Sequence, residues 1–160
     1  MKKYILGINK ISCFILSILL FFSFTACSGE EKETITTGSD TALIKKLTED
    51  LDGITGCEYE TIRRAYTMFG QNFSMGPTDP SYRGIITLSE EEGKRIFKEY
   101  YWLLDDTFMA DGMSEIDTSD LQGEDWYYCN SFDVHTFPTA IVHYVRFNGK
   151  DKIVFYVSSY

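Results

Sequence analysis

Apolar residues recur at the spacing of an amphipathic helix in two stretches of the chain. Asp40 is a suitable N-cap for the first helix, which we predict over 40–52. Ser89 and the three glutamates after it form a capping box for the second helix, which we predict over 89–104. The stretch 55–69 is ambiguous, because a capping box and helical spacing compete there with residue types that favour strands, and we favour a helix.

Alternating apolar, aromatic and β-branched residues predict strands elsewhere, mostly in the last third of the chain. Asn148-Gly149 is a strong signal for a two-residue hairpin turn between the last two strands. That turn would pair Tyr144 with Ile153 and place one mostly apolar face towards the core. The predicted strands cover 82–88, 126–134, 140–147 and 152–158.

These elements predict an α+β fold, in which two or three helices pack on an antiparallel sheet of three or four strands with a C-terminal β-hairpin. We expect a single domain over 40–160. The Gly- and Pro-containing stretch 70–81 is a predicted loop. The stretch 105–125 is polar, acidic and long, and we predict an excursion on the surface. Loops of this length are uncommon unless they are functional or mobile, so this is the first place to look for a site.

The N-terminus follows a different pattern from the rest of the chain. Lys2, Lys3 and Lys10 precede an apolar run over 11–24, and small residues come after it. This is the layout of an export signal. The run is shorter than the roughly 20 residues that cross a bilayer and has no basic flank after it, so a permanent transmembrane helix is the weaker interpretation.

Thr25 and Ala26 followed by Cys27 resemble the lipobox of bacterial lipoproteins. In that class the cysteine thiol receives a diacylglyceryl group, and cleavage leaves the lipidated cysteine as the first residue. The resemblance implies a signal peptide over 1–26, an anchor in the lipid bilayer through Cys27, and a position on the extracytoplasmic side of the cell envelope. Residues 27–39 would then be the lipidated cysteine and a flexible tether. Ordinary secretion and an uncleaved anchor are the alternatives.

The negative net charge of the chain bears on which classes of binding partner it can attract. The full chain has a formal net charge of −9 at pH 7, and loss of the three signal lysines lowers it to −12. This charge argues against nucleic acid as a partner. No Lys or Arg occurs between Glu99 and Val145, although this stretch holds many acids. One region of the surface should therefore be strongly negative.

Two of the four cysteines belong to the N-terminal region, since Cys13 leaves with the signal and Cys27 is the lipidation site. The remaining pair, Cys57 and Cys129, can form a disulfide outside the cytoplasm, closing a loop of about 70 residues. The alternative is two small buried thiols in a protein from a reducing habitat.

Few residues of the folded part form a pattern typical of an active site. His135 and His143 match no zinc spacing, the acidic loop does not match an EF-hand, and no G-x-S-x-G motif accompanies a serine. We therefore predict no metal, no cofactor and no enzymatic activity. A small hydrolase remains the least favoured hypothesis, because it needs a pocket that joins a histidine to loop carboxylates.

Aromatic residues beside the acidic loop are the best candidates for a binding surface, since Trp and Tyr offer large, rigid contact areas. Our leading hypothesis is a non-enzymatic module that uses this acidic, aromatic-rich face to bind a protein or peptide partner. A glycan-binding module is the alternative, and a domain that simply buries both sides of its sheet would explain the same residues. The candidate surface comprises Trp102, Asp105, Asp106, Asp111, Glu115, Asp117, Asp120, Trp126, Tyr127 and Tyr128.

Overall fold

A computed structural model of the chain describes residues 30–68, 71–73 and 80–159. The export signal and Cys27 lie outside these residues and stay predictions, and most of the predicted loop 70–81 lies outside them too. The described residues form two compact units. Those up to Lys32, with 65–68 and 71–73, belong to one unit, and Glu33–Arg64 with the residues from 80 onward belong to the other. No helix in the described part is long and apolar enough to cross a membrane.

The strands join one sheet in the order β1-β2-β4-β8-β7-β6-β5, and β3 pairs with β2 off this path. The pairs formed by β2 to β8 are antiparallel. In chain order, the elements are β1 (Glu30–Gly38), α1 (Thr41–Leu47), β2 (Ile54–Met68), β3 (Gln71–Phe73), β4 (Ser81–Leu88), α2 (Glu90–Glu99), β5 (Leu103–Leu104), a 3₁₀ turn (Ser119–Leu121), β6 (Tyr127–Tyr128), α3 (Asn130–Thr136), β7 (Ala140–Phe147) and β8 (Lys152–Ser159).

The predicted fold class is wrong in its proportions, because the sheet has seven strands along one path and an eighth beside it. The predicted helix 55–69 causes much of the difference, since its described residues, 55–68, form most of β2 instead. Cys57 and Tyr59 pack in one buried cluster, whereas Glu60 makes its contacts on the opposite face of the strand. Successive side chains of this stretch therefore point to opposite faces, as in a strand, and both faces are covered.

Two other elements differ from their predicted extent. Helix α2 begins after the predicted N-cap Ser89, whose Oγ accepts the amide N–H of Glu92, but ends at Glu99, where Tyr100 adopts extended backbone. The predicted strand 126–134 is wrong after Tyr128, because helix α3 follows and buries Phe132. Short helices of this kind are stabilised by packing rather than by intrinsic propensity, so their sequence signal is weak.

The N-terminal part of the described chain is more ordered than predicted. Asp40 caps α1 as expected, with its carboxylate accepting the amide N–H of Ala42 at 2.8 Å, but the helix ends at Leu47 instead of residue 52. The residues of the predicted tether from Glu30 to Gly38 form β1, an edge strand of the sheet. The flexible-tether prediction is therefore wrong for this segment.

The hairpin of β7 and β8 forms as predicted, but in a different register. Tyr144 pairs with Tyr156 rather than with Ile153. The carboxamide of Asn148 accepts amide N–H groups from residues 150, 151 and 152, at 2.9 to 3.0 Å, so the turn has four residues instead of two. A bulge at His143 also places two successive side chains on one face of β7.

The two faces of the sheet are covered by different kinds of structure. On one face, which we call the helix side, the three helices and the strands share a large buried cluster that includes Ile44, Ile96, Phe132 and Phe155. The opposite face, the loop side, is covered by residues 105–126, which we call the covering segment. The cluster on the loop side contains Ile85, Met113, Ile116, Leu121, Trp126 and Val154.

Candidate functional site

The middle of the covering segment is bonded to the sheet by a fully buried carboxylate. Glu60 on β2 is fully buried and forms an ion pair with Arg83 on β4. Its other oxygen accepts the amide N–H groups of Ser114 and Glu115, at 2.7 and 2.5 Å. Burial alone would raise the pKa of Glu60, but the bond from the Glu115 amide and the charge and bond of Arg83 outweigh it and hold this pKa below its usual value.

Apolar contacts hold the covering segment on either side of this carboxylate. Phe108 packs edge-on against Trp126 and Tyr144, with ring centroids 5.6 and 5.4 Å apart. Arg146 on β7 bonds Asp105 at 2.7 Å and lies over the ring of Phe108. The segment lies on the surface, as predicted, and most of its charged side chains face outward. It does not extend away from the domain, because its apolar side chains pack against the sheet.

The candidate acids divide into one structural residue and five exposed ones. The carboxylate of Asp105 is largely buried, and its bonds from Arg146 and Thr107 outweigh burial and lower its pKa. The other five are exposed and form no ion pair with any described residue. They are Asp106, Asp111, Glu115, Asp117 and Asp120.

The candidate aromatic residues lie deeper than a stacking surface requires. Trp126 is only 3% exposed. Trp102 is half-buried, its Nε1–H bonds the carbonyl of Ile96 at 3.0 Å, and its ring packs 4.9 Å from that of Phe132. Neither tryptophan therefore presents a flat face to solvent. Tyr127 and Tyr128 are half-buried as well.

Two neighbouring clefts open beside the covering segment. The first, which we call the apolar cleft, has a volume of about 310 Å³, and its lining includes Phe108, Met109, Leu121 and Trp126. The second, which we call the aromatic–acidic cleft, has a volume of about 250 Å³. Gly123 and Glu124 line both clefts, so the two lie next to each other. The aromatic–acidic cleft is lined by Phe97, Gly123, Glu124, Asp125, Tyr127, Asn148, Gly149 and Lys150.

A third cleft of about 430 Å³ lies between the sheet and the residues around the 3₁₀ turn. Asp117 and Asp120 from the covering segment line it together with Glu58 and Lys152. Lys152 donates a hydrogen bond to the Thr87 hydroxyl at 3.0 Å. No group of three or more potential metal-ligating side chains occurs within 30–68, 71–73 and 80–159.

The two histidines occupy different parts of the fold, and neither lines the three clefts. His135 is exposed on α3. His143 stacks on Tyr156, and its Nε2 lies 2.8 Å from the hydroxyl of Ser158, which in turn lies 2.8 Å from that of Ser81. Sequence reasoning missed this polar row, because the bulge that turns His143 towards Ser158 has no local sequence signal. Neither histidine therefore meets loop carboxylates in any of these three clefts.

The two remaining cysteines are free thiols rather than a disulfide. Both are buried and belong to the cluster on the helix side. Burial, with the nearby charges of Asp40 and Glu58, raises the pKa of the Cys57 thiol. The Cys129 sulfur lies 3.1 Å from the hydroxyl of Ser131. In this structure the pair acts as two small core residues.

No family model, curated protein or solved structure matches the chain. The covering segment and its clefts are the candidate functional surface of the described residues.

Proposed function

We propose that this protein is a lipid-anchored, non-enzymatic binding module of the cell envelope, whose acidic surface binds a cationic segment of a protein or peptide. One observation carries the proposal. Five carboxylates without ion pairs among the described residues project from a segment whose backbone is held in place by Glu60. Exposed charges of one sign attract partners of the opposite sign and speed their association.

The fixed backbone of the covering segment favours binding over simple solvation. A mobile acidic loop would lose conformational entropy when it bound a partner, whereas this segment is already ordered by its bonds to Glu60 and its apolar contacts. We do not extend the proposal to glycans, because Trp102 and Trp126, on which that hypothesis relied, pack against other side chains.

Binding of a dye-labelled, lysine-rich peptide at low and physiological salt tests the acidic surface. A triple variant, Asp106→Asn, Asp111→Asn and Glu115→Gln, should weaken binding by about tenfold at low salt and flatten the salt dependence. The matched control neutralises three exposed acids elsewhere, Glu49→Gln, Asp52→Asn and Glu91→Gln. An equal loss in both variants, or equal binding of a glutamate-rich peptide by the wild type, would refute the proposal.

The anchor is tested separately from the binding surface. Labelled palmitate should be incorporated into the wild-type protein in cells, and Cys27→Ala should abolish both the incorporation and the recovery of the protein in the membrane fraction. A Cys13→Ala control should keep both. Persistence of the label in the Cys27 variant would contradict lipidation at this residue.

A further inference from the structure

The apolar cleft has a lining that electrostatic attraction alone does not explain. Leu121 and Trp126 form buried parts of its wall, whereas Met109 beside them is 70% exposed. Met109 therefore adds an exposed apolar side chain to the rim of a cavity whose wall is already apolar. Methionine is unbranched and adaptable, and it is common on surfaces that accept varied apolar side chains.

Acidic side chains of the covering segment lie at this cleft and at the neighbouring one. Asp111 lines the apolar cleft itself, and Asp125 lines the neighbouring aromatic–acidic cleft. Glu124, which lines both, already has an ion pair with Lys150 at 2.8 Å. Asp111 and Asp125 have no such partner among the described residues. An occupant that combines an apolar side chain with a positive charge fits both clefts.

The aromatic–acidic cleft suits the stem of a long cationic side chain. The rings of Phe97 and Tyr127 meet at 75° with centroids 5.6 Å apart, and the backbone of Gly149 lies close against both rings, so that they form one apolar wall of the cleft. Lysine and arginine pack their methylene stems on apolar surfaces of this kind while the charged end stays in water. The carboxylate of Asp125 lies at the same cleft to meet that charge.

We propose that the partner's cationic segment inserts a large aliphatic side chain into the apolar cleft, while a neighbouring lysine or arginine occupies the aromatic–acidic cleft. This inference rests on the proposed function, because it names the chemistry of the segment that the acidic surface attracts. A cavity of about 310 Å³ is at the lower end of the range for ligand pockets and accepts one such side chain. Anchors of this kind carry a large share of the binding energy in protein interfaces.

Three labelled peptides of equal length test the inference with the full-length protein. The first has a central leucine flanked by lysines, the second replaces the leucine with serine, and the third replaces the lysines with glutamates. We expect the leucine peptide to bind the wild type about tenfold more tightly than the serine peptide, the size expected for burying a leucine side chain. The glutamate peptide should bind least.

The variant Met109→Ser should reduce the preference for leucine over serine to about twofold or less, and Met109→Leu should preserve it. Val134→Ser is the matched control, because Val134 is 67% exposed on α3, away from both clefts, and should leave the preference unchanged. Asp125→Asn should weaken both lysine peptides alike and leave their ratio unchanged.

The outcomes separate this inference from the proposed function. Equal binding of the leucine and serine peptides, with weak binding of the glutamate peptide, would overturn the apolar anchor and leave the acidic surface supported. An equal loss for both lysine peptides in Met109→Ser would overturn it too, because the residue would not act through an apolar side chain. Equal or absent binding of all three peptides at low salt would refute both proposals.

Discussion

Both faces of the sheet are covered, but different kinds of structure and interaction cover them. The helix side is covered by three regular helices and the aromatic side chains packed beneath them, such as Phe137 stacked 5.7 Å from Phe155. The loop side is covered by a segment with only one short 3₁₀ turn, held by Glu60 and a smaller apolar cluster. A buried, fully bonded carboxylate can therefore hold a layer in place where helical periodicity is missing.

This difference also explains how one segment can be both fixed and strongly charged. A helix needs a wide apolar stripe to stay on a sheet, whereas hydrogen bonds from two backbone amides leave their side chains free to face solvent. Ser114 and Glu115 are held through their amides, and the Glu115 side chain is exposed, while the Ser114 hydroxyl also accepts a hydrogen bond from Arg83 and donates one to Glu60. The loop side can thus carry exposed charges of one sign, whereas the charges on α2 are of both signs and several of them form ion pairs with each other.

The largest loss of stability should come from a substitution that disrupts packing on the helix side. Phe155→Ala removes a fully buried ring and should lower the free energy of unfolding by about 4 kcal/mol. Urea unfolding followed by circular dichroism and by tryptophan fluorescence should show both sides lost together. Phe155→Leu, as a control, should cost about 1.5 kcal/mol. A loss below about 1 kcal/mol for the alanine variant would contradict the central role of this ring.

A substitution that removes the contacts of the loop side should lower the stability less, and its effect should be confined to the covering segment. Glu60→Ala leaves Arg83 without its carboxylate and two amides without an acceptor, which should lower the free energy of unfolding by about 3 kcal/mol. Hydrogen exchange should accelerate in the covering segment while α2 stays protected. Glu60→Gln keeps a carbonyl acceptor and should have a smaller effect. Equal acceleration on both sides of the sheet would show that the two layers are not separable.

The free energy of unfolding, measured over a range of pH, compares Glu60 with Asp133, a carboxylate on the helix side. Oδ1 of Asp133 is buried without a hydrogen bond among the described residues, and burial raises the pKa of Asp133 to about 6. The folded state therefore holds this proton more tightly than the unfolded chain, so its contribution to stability is present below the usual value of 3.8 and is lost as the pH rises towards 6.

Asp133→Asn should flatten the decline in stability between about pH 4 and 6 and stabilise the protein at neutral pH, as measured by urea unfolding. Glu60 has the opposite sign: its pKa is lowered, so its contribution is present above its usual value of 4.5 and is lost as the pH falls further. An unchanged pH profile in the Asp133 variant would show that this carboxylate is satisfied in solution.

The smallest effect on stability should come from the exposed acids. The triple variant Asp106→Asn, Asp111→Asn and Glu115→Gln should change the free energy of unfolding by less than about 0.5 kcal/mol, because these side chains are exposed and unpaired among the described residues. Urea unfolding checks this directly. A larger loss would mean that their charges hold the covering segment, and binding experiments with the variant could not then be attributed to the surface.

Features that depend on neighbouring residues could be predicted from the sequence. Asp40 and Ser89 cap their helices through amides two and three residues away, and the strand at 82–88 follows from its own run of β-branched and apolar residues. The acidic nature of the surface also follows from composition alone. These features need no knowledge of what the chain packs against.

Features that depend on distant residues could not be predicted in the same way. The stretch 55–69 has spacing that suits a helix, but its residues 55–68 form a strand that pairs with β4 and packs on both faces. The bond from Glu60 to Ser114 joins residues 54 apart and matches no local motif. The candidate tryptophans were selected by their proximity to acids in the sequence, but proximity in sequence does not determine exposure.

The long separation between Glu60 and Ser114 also affects the order in which the molecule folds. Asn148 and Lys152, which close the last hairpin, are only four residues apart, whereas the loop side needs a contact across 54 residues. Contacts between distant residues require more chain entropy to be lost before they stabilise the structure. The hairpin should therefore form early and the covering segment should dock late. Weakening Glu60 would then mainly accelerate unfolding, and the acidic surface would be the last part of the protein to become competent for binding.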